Sequence, residues 1–245
     1  MDDVKKPRLA ATVILLRHGQ REPFEIFFTR RPEAMAFLGG MYCFPGGTVR
    51  QEDSSPELIE RCYGLTPAEA RKILGARFAP AQAIGFWVAA IRELFEETGI
   101  LLGIDPITHN HISDARRDRL LSLADRERTP INFAKALETE NLLCDLSRLR
   151  YLSHWQTPSG QPIRFDTRFF LAALPERQSP LASSPEVTHS VWLTPDEALE
   201  RFDKNELPMI FPTFASIRRL ADFDSVESVF SSTNSRVSRG PIARA

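Results

Sequence analysis

The chain has 245 residues, of which 42% are hydrophobic, and its formal net charge is −1 at pH 7. This length allows one large domain or two small ones, and the hydrophobic fraction is normal for a globular protein with a core. The balanced charge gives no field that would attract nucleic acid or an anionic membrane, and the longest apolar run, 83–91, is much shorter than the roughly 20 residues that cross a bilayer.

The first predicted elements are strands. Residues 10–16 and 24–29 are short apolar runs rich in β-forming residues, and they predict a hairpin with its turn at 17–23. A further short strand, 41–44, ends at Pro45-Gly46-Gly47, which interrupts regular structure.

Helices are predicted in the middle of the chain. Thr66-Pro67-Ala68-Glu69 has the pattern of a capping box, and Gly75 and Gly99 are typical helix stops. The predicted helices are 56–63, 67–74, 86–98, 112–124 and 131–140.

The last third of the chain returns to strands and ends with helices. The predicted elements are strands at 149–156, 168–174 and 187–193, a helix from the capping box at 194–197 to 202, and a helix at 212–221. Residues 231–245 are rich in Ser and Arg and have little to bury, so a disordered tail is predicted there. The whole pattern favours one α/β domain, 1–230, with a mixed sheet between helices.

Three glutamates in the helix at 86–98 give the clearest functional signal. Glu96 and Glu97 follow Glu93 by three and four residues, so all three share one helix face. Because like charges repel, a positive group is expected between them, and oxygen ligands indicate a hard cation such as Mg²⁺ or Mn²⁺. A solvated acidic face is the usual interpretation of such a run, but the rest of this helix is apolar. Gly46-Gly47 can bring a backbone carbonyl close to the same cation.

These residues resemble the Nudix box. That motif consists of Gly, any five residues, Glu, any seven residues, and then Arg-Glu, an aliphatic, any residue, Glu-Glu, any residue, Gly and an aliphatic. The second half is complete between Arg92 and Ile100. The first half resembles Gly47 and Asp53, with Asp in place of the usual Glu, and 38 residues (54–91) stand where the motif has seven. The box is therefore split by 31 extra residues.

A split box of this kind is similar to the Nudix subgroup of the peroxisomal coenzyme A diphosphatase and its bacterial relatives. Segments near 30–37, 155–158, 164–170 and 192–195 also resemble this subgroup, so the resemblance covers about 10–220. It implies a Nudix α/β/α sandwich with a central mixed β-sheet and extra helical insertions at about 54–84 and 105–148. Three roles are open for the insertions: covering the substrate, forming a dimer contact, or enlarging the core. Their length favours a binding role.

The resemblance also implies roles for individual residues. Glu96 and Glu97 would be metal ligands, Glu93 a ligand or the catalytic base, and Arg92 a catalytic residue that orients the glutamates. The metal candidates are Glu93, Glu96, Glu97 and the Gly46 carbonyl, with Asp53 and Glu186 as further candidates. Arg30, Arg31, Arg164 and Arg168 are candidates for binding substrate phosphates, because arginine pairs with phosphate through two hydrogen bonds.

The implied activity is metal-dependent hydrolysis of a nucleoside diphosphate linked to another group X. Coenzyme A or an acyl-CoA is the preferred substrate, with phosphopantetheine and adenosine 3′,5′-bisphosphate as products from coenzyme A. An ADP-ribose or NADH diphosphatase is the alternative, and a nucleotide-binding regulator without catalysis is an alternative of another class. The intact Arg92, Glu93, Glu96 and Glu97 argue against the regulator.

Two further hypotheses concern chemistry and setting. Arg17-His18-Gly19 after a strand resembles the start of a histidine phosphatase. A match of three residues is weak support for that class of enzyme, and a hairpin turn is favoured. A cytoplasmic location is predicted, because the three cysteines are scattered and the N-terminus has no apolar secretion signal. The C-terminal Ala-Arg-Ala does not match the peroxisomal targeting signal. A small-molecule nucleotide is the expected partner, and a homodimer is left open.

Overall fold

A computed structural model describes residues 6–19, 24–35, 37–112, 114–127, 132–181 and 187–234. The strands are β1 (Arg8–His18), β2 (Phe24–Arg30), β3 (Tyr42–Cys43), β4 (Gly46–Thr48), β5 (Cys62–Tyr63), β6 (Gly103–Ile104), β7 (Leu143–Asp145), β8 (Arg150–Gln156), β9 (Phe165–Ala173) and β10 (His189–Leu193). The helices are α1 (Pro56–Ile59), α2 (Pro67–Leu74), α3 (Pro80–Thr98), α4 (Asp114–Glu127), α5 (Phe133–Thr139), α6 (Pro195–Asp203), α7 (Phe211–Leu220) and α8 (Val226–Asn234).

The main sheet has the strand order β10-β2-β1-β9-β8, with β3 attached to β2 and β4 to β1. The central pair β1–β9 is parallel, and the pairs around it are antiparallel. The predicted mixed sheet is therefore confirmed.

Helices cover both faces of this sheet, since each face carries its own cluster of buried apolar side chains. One cluster joins the sheet to α3 and the segments around it, and the other joins the sheet to α6, α7 and α8. The predicted α/β/α sandwich is confirmed. Among the described residues, no helix combines the length and apolar character needed to cross a membrane.

The two predicted insertions meet in a second, smaller sheet with the order β5-β7-β6. β5 lies in the first insertion and pairs in parallel with β7 of the second, where Cys62 is opposite Cys144. The helix predicted at 56–63 is wrong in its second half, because α1 ends at Ile59 and Cys62–Tyr63 are used for this pairing.

Several other boundaries differ from the prediction. α3 begins at Pro80 instead of residue 86, and β1 continues through His18 into the predicted turn. β9 begins at Phe165 rather than residue 168. The helix α8 was not predicted and includes residues 231–234 of the predicted tail; residues 235–245 lie outside the described residues.

Candidate active site

The acidic end of α3 is held in place by burial of the rest of the helix. α3 is apolar on nearly all sides, and it packs between the main sheet and the inserted segments. It ends at Gly99, as predicted, in the left-handed conformation (φ 71°), with the Gly99 N–H donating to the Phe95 carbonyl. Glu93, Glu96 and Glu97 therefore project from the last two turns of a rigid element.

Arg92 organises the carboxylates around it. Its Nε and Nη2 donate to the two oxygens of Asp53 at 2.7 and 2.9 Å. Its Nη1 donates to Glu93 at 2.6 Å and to Glu96 at 3.0 Å, and Nη2 also donates to the Thr48 carbonyl at 3.0 Å. The Arg92 side chain is only 3% exposed. Arg92 therefore holds the Glu93 and Glu96 carboxylates in place. Its hydrogen bonds to Asp53 also connect the first half of the split motif to the second.

A second arginine, Arg50, covers the same carboxylates from the solvent side. Its Nη1 and Nη2 donate to the two oxygens of Glu96 at 3.1 and 3.0 Å, and Nη2 lies 3.8 Å from Glu93 Oε1. The Arg50 side chain is 37% exposed. The positive charge expected between the glutamates is thus supplied in this structure by Arg50 and Arg92.

Gly47 is required at its position because Glu93 fills the space beside it. A Cβ atom on Gly47 would lie 2.6 Å from the Glu93 carboxylate, which is well inside van der Waals contact. The backbone of β4 can approach the carboxylate this closely only where no side chain intervenes.

Gly46 faces the acidic helix rather than its sheet neighbour. The hydrogen bond from the Val13 N–H to the Pro45 carbonyl belongs to the β1–β4 pairing, so the next residue directs its backbone groups to the other side. The Gly46 N–H accordingly donates to Glu97 Oε2 at 3.3 Å. The role of the Gly46 carbonyl as a metal ligand stays a prediction.

Burial changes the acidity of two groups here. Desolvation raises the pKa of Glu93, while Arg92 acts in the opposite direction. A raised pKa suits a carboxylate that is to accept a proton. Desolvation also raises the pKa of the nearby Cys43 thiol to about 11, so Cys43 is not an activated nucleophile.

The donor set fits a divalent cation by chemistry. With all groups ionised, two arginines face four carboxylates, which leaves two negative charges in the cluster; the carboxylates are Asp53, Glu93, Glu96 and Glu97. The offered ligands are all oxygens, as Mg²⁺ and Mn²⁺ prefer. In the part of the chain that the structure describes, however, no three acidic, His or Cys side chains converge as a ready metal site. Glu93 and Glu96 instead have their carboxylate oxygens in contact with Arg92 and Arg50.

A cavity of about 690 Å³ is lined in part by the three residues of β4. Its described walls are mainly aromatic and aliphatic, and among the described lining residues Arg31 is the one that carries a charge. Two buried donors in this wall, Arg31 Nε and Trp155 Nε1, have no hydrogen-bond partner among the described residues. The lining comes from Ala10, Thr12, Arg31, Phe37, Leu38, Cys43, Phe44, Gly46, Gly47, Thr48, residues 155–158, Gln161, Ile163, Phe165, Thr167, Phe169 and residues 210–213.

Comparison with known proteins identifies this combination of fold and acidic helix. A family model described as the NUDT19 Nudix domain matches residues 7–220. The chain belongs to this family. The predicted class of enzyme, a Nudix diphosphatase, is therefore confirmed, and the histidine phosphatase alternative is wrong. His18 is instead exposed at the end of β1, where it lies 3.4 Å from Glu227.

The relatives are moderately similar in sequence. The acyl-coenzyme A diphosphatase NUDT19 of Gallus gallus is 29% identical, over 95% of this chain and 73% of the relative. The proteins of the same name from Homo sapiens and Xenopus laevis are 28% and 25% identical, over 85% and 84% of this chain. The chain spans less than two thirds of those two relatives, 63% and 62% of their length.

A solved structure supports the same grouping. The NUDIX hydrolase from Alicyclobacillus acidocaldarius superposes with a TM-score of 0.77 at 29% identity, covering 97% of this chain and 99% of that one. The NUDT19-type Nudix fold thus extends over nearly the whole chain, inserted segments included.

The four predicted phosphate-binding arginines are not brought together. Only Arg31 lines the cavity. Arg30 donates to the Gly40 carbonyl and to Glu33, and Arg164 donates to the Thr157 carbonyl at the cavity edge. Arg168 is 2% exposed and paired with Asp166 on the opposite face of β9. In this structure the Arg168 guanidinium is therefore occupied by a buried carboxylate and lies away from the cavity, and its role in binding substrate phosphates stays a prediction.

The other predicted ligands differ in their surroundings. Asp53 is fully buried, and both of its carboxylate oxygens accept hydrogen bonds from Arg92. Its candidacy as a metal ligand stays a prediction. Glu186 lies outside the described residues.

Arg50 was missed by sequence reasoning. Its position inside the first half of the Nudix box, three residues before Asp53, was the available signal. The apolar cavity was missed as well; the available signal was the alternation of the strand sequence, which puts Phe165, Thr167 and Phe169 on one face.

Proposed function

We propose that this protein hydrolyses the diphosphate bond of a nucleoside diphosphate linked to X in a reaction that depends on Mg²⁺ or Mn²⁺, and that coenzyme A or an acyl-CoA is the substrate. The choice of substrate rests on the cavity, which is lined in part by Gly46 and Gly47. The same two glycines contact the carboxylates of Glu97 and Glu93 on the acidic helix. A diphosphate held at the carboxylates would place a neighbouring group in this cavity.

The carboxylates would hold the cation and organise the attack on phosphorus. Glu93, Glu96, Glu97 and the Gly46 carbonyl are the proposed ligands. A divalent cation neutralises charge on the diphosphate and makes water a better nucleophile. Glu93, whose pKa is raised by burial, would serve either as one of these ligands or as the base that accepts the proton of the attacking water, and Arg92 would hold its carboxylate in position in both cases. The attack breaks one P–O bond of the diphosphate bridge.

The cavity suits an acyl-pantetheine group. Its volume is within the usual range for small-molecule sites, about 300–1,000 Å³. The aromatic and aliphatic part of the lining would pack along a long acyl or pantetheine chain, which is mainly apolar. The threonine and glutamine side chains of the lining and the unpaired donor Trp155 Nε1 could pair with the few amide and carbonyl groups of that chain. The name of the relatives, acyl-coenzyme A diphosphatase, supports the same choice.

Arg31 is the proposed contact to the diphosphate on the cavity side. It is the one cation among the described residues of the cavity wall, and it lies beside Cys43, whose pKa is influenced by both Arg31 and Glu97. Arg31 is therefore near the junction of cavity and carboxylates, where the negative charge of the substrate would be.

A substrate panel tests the proposal. Phosphate-anhydride cleavage with Mg²⁺ is measured for coenzyme A, a medium-chain acyl-CoA, NADH, ADP-ribose and Ap4A. We expect the highest kcat/KM for coenzyme A or the acyl-CoA. Faster cleavage of ADP-ribose or NADH would replace our proposal by the alternative diphosphatase, and binding without cleavage of any compound would favour the regulator.

A cavity variant, assayed on the same panel, tests the placement of X. Phe211 is 64% exposed at the cavity wall and packs edge-on against Trp155, so Phe211→Ala leaves the core intact. We expect KM for the acyl-CoA to rise about tenfold with kcat retained, and KM for ADP-ribose to change little. Ile107→Ala, which removes another exposed apolar side chain outside the cavity, is the control. An equal rise in KM for both substrates would contradict the placement.

A further inference from the structure

Arg50 and Arg92 hold the same carboxylates but differ in how tightly they are themselves held. Arg92 is buried, and each of its guanidinium nitrogens has at least one acceptor. Arg50 reaches Glu96 from solvent, and its side chain is 37% exposed. Arg50 can therefore leave its carboxylate at low cost, because partly exposed ion pairs contribute little net free energy, whereas Arg92 cannot.

Arg50 also occupies the position that matters most for a cation. Its guanidinium covers both oxygens of Glu96 and lies 3.8 Å from Glu93. These are two of the three carboxylates proposed as metal ligands above. A guanidinium and a divalent cation cannot both use the same oxygens fully, and like charges at this distance repel.

We propose that Arg50 competes with the divalent cation for Glu93 and Glu96, and that the cation binds by displacing the Arg50 guanidinium from Glu96. Arg50 thereby sets the affinity of the site for its metal. This inference rests on the proposed function in that it takes the Nudix carboxylates as the metal ligands. It assigns to Arg50 the role of a positioning residue that holds the carboxylates in place until they are engaged by the cation.

The experiment measures cation binding without substrate. Mn²⁺ affinity of the full chain is determined by isothermal titration calorimetry and by electron paramagnetic resonance of the free ion, for the wild type, Arg50→Ala and Arg50→Lys. Loss of the positive charge should tighten Mn²⁺ binding about tenfold in Arg50→Ala. Arg50→Lys keeps the charge but not the paired hydrogen bonds, so its affinity should lie between the two.

Arg17→Ala is a closely matched control. Arg17 pairs with Glu25 at 2.6 Å, and the side chains are 37% and 19% exposed, against 37% and 18% for Arg50 and Glu96. We expect this variant to bind Mn²⁺ like the wild type. The melting temperature adds a second readout: in EDTA, Arg50→Ala should melt below the wild type, and Mn²⁺ should raise its melting temperature by more.

The outcomes separate this inference from the proposed function. Unchanged or weaker Mn²⁺ binding in Arg50→Ala overturns the competition, even if the wild type hydrolyses coenzyme A. Tighter binding in a protein that cleaves no compound of the panel supports the competition while the proposed function fails. If Arg50→Ala does not fold, Arg50→Gln, which is uncharged and closer in shape, provides the same comparison.

Discussion

At the scale of single residues, the Glu93 carboxylate occupies the space that a side chain at Gly47 would need. A Cβ on Gly47 would lie 2.6 Å from that carboxylate, and Glu93 cannot simply turn aside because Arg92 holds it at 2.6 Å. The glycine therefore leaves room for the carboxylate of Glu93, which we propose as a ligand or base, and a methyl group at Gly47 would displace that carboxylate.

We expect Gly47→Ala to lower kcat about a hundredfold, since a displacement of about 1 Å at a catalytic group has effects of this size. The free energy of unfolding should fall by about 1–3 kcal/mol from overpacking. Steady-state kinetics and urea unfolding measure the two effects. The control is Gly103→Ala, another strand glycine, whose Cβ would meet the side chain of Leu101 at 3.2 Å. An active Gly47→Ala enzyme would show that Glu93 does not need this position.

Residue patterns predicted part of this site. The spacing of four residues between Arg92 and Glu96 indicated their contact, and the structure has it at 3.0 Å. The repulsion among the glutamates also indicated a positive group. It did not identify Arg50, because Arg50 approaches across 46 residues of sequence and helical spacing describes only neighbours on the same helix.

At the scale of elements, β9 separates two kinds of chemistry by its two faces. Phe165, Thr167 and Phe169 line the cavity, whereas Asp166 and Arg168 face α3. The alternation of residue types along this strand agrees with the division. It does not show which face lines the cavity, since an arginine on a strand has the same pattern whether it binds phosphate or a buried carboxylate.

The charged face of β9 also anchors the first insertion. Asp166 accepts hydrogen bonds from Arg77, which precedes α3, and from Arg168, and it is paired with His154 of β8. Burial alone would raise the pKa of Asp166, but the hydrogen bond and charge of His154 and the charge of Arg77 outweigh it and lower the pKa.

Asp166→Asn should therefore destabilise the protein by about 3 kcal/mol at pH 7, because it leaves two arginines without their carboxylate. A lowered folded-state pKa stabilises the fold above the unfolded-state value, near pH 4, and this stabilisation is lost as the pH falls further. Urea unfolding from pH 7 to pH 3 should show the difference between wild type and variant shrinking below pH 4.

The matched control for this series is Asp222→Asn. Asp222 pairs with Arg218 at 3.6 Å while 74% exposed, so its replacement should change the free energy of unfolding by less than about 0.5 kcal/mol at any pH. A destabilisation by Asp166→Asn that is the same at pH 7 and pH 3 would mean that charge is not what Asp166 contributes.

At the scale of the whole molecule, the inserted segments extend the core instead of lining the cavity. Among the residues that the structure describes, none from 54–84 or 105–148 lines the cavity. Leu58, Ala70, Leu137 and Cys144 of those segments are instead buried in the cluster that contains α3. Of the roles that the sequence left open for them, enlarging the core is the one for which the structure gives contacts.

The long-range arrangement was the least predictable part. β1 lies parallel to β9 although 146 residues separate the end of one strand, His18, from the start of the other, Phe165. The pairing of β5 with β7 likewise joins segments far apart in sequence. Local hydrophobic patterns predict that such strands exist. Which strands pair with each other depends on how α3 and the insertions pack together. The resemblance to the Nudix family supplied that information.

A shared core predicts that insertion and Nudix sheet unfold together. Leu137 of α5 is fully buried, so Leu137→Ala should lower the free energy of unfolding by about 2–5 kcal/mol. The tryptophans, Trp87, Trp155 and Trp192, all lie outside the insertions, and their fluorescence reports on the sheet and α3. In urea, the fluorescence and far-UV circular dichroism midpoints should both fall by the same amount, because one cooperative unit has one transition.

The control is Ile107→Ala, at a residue that is 85% exposed in the same insertion, and it should leave both midpoints unchanged. If instead the circular dichroism of Leu137→Ala shows an early transition while the fluorescence midpoint stays at the wild-type value, the insertions fold as an appendage, and their contacts with α3 do not stabilise the catalytic helix.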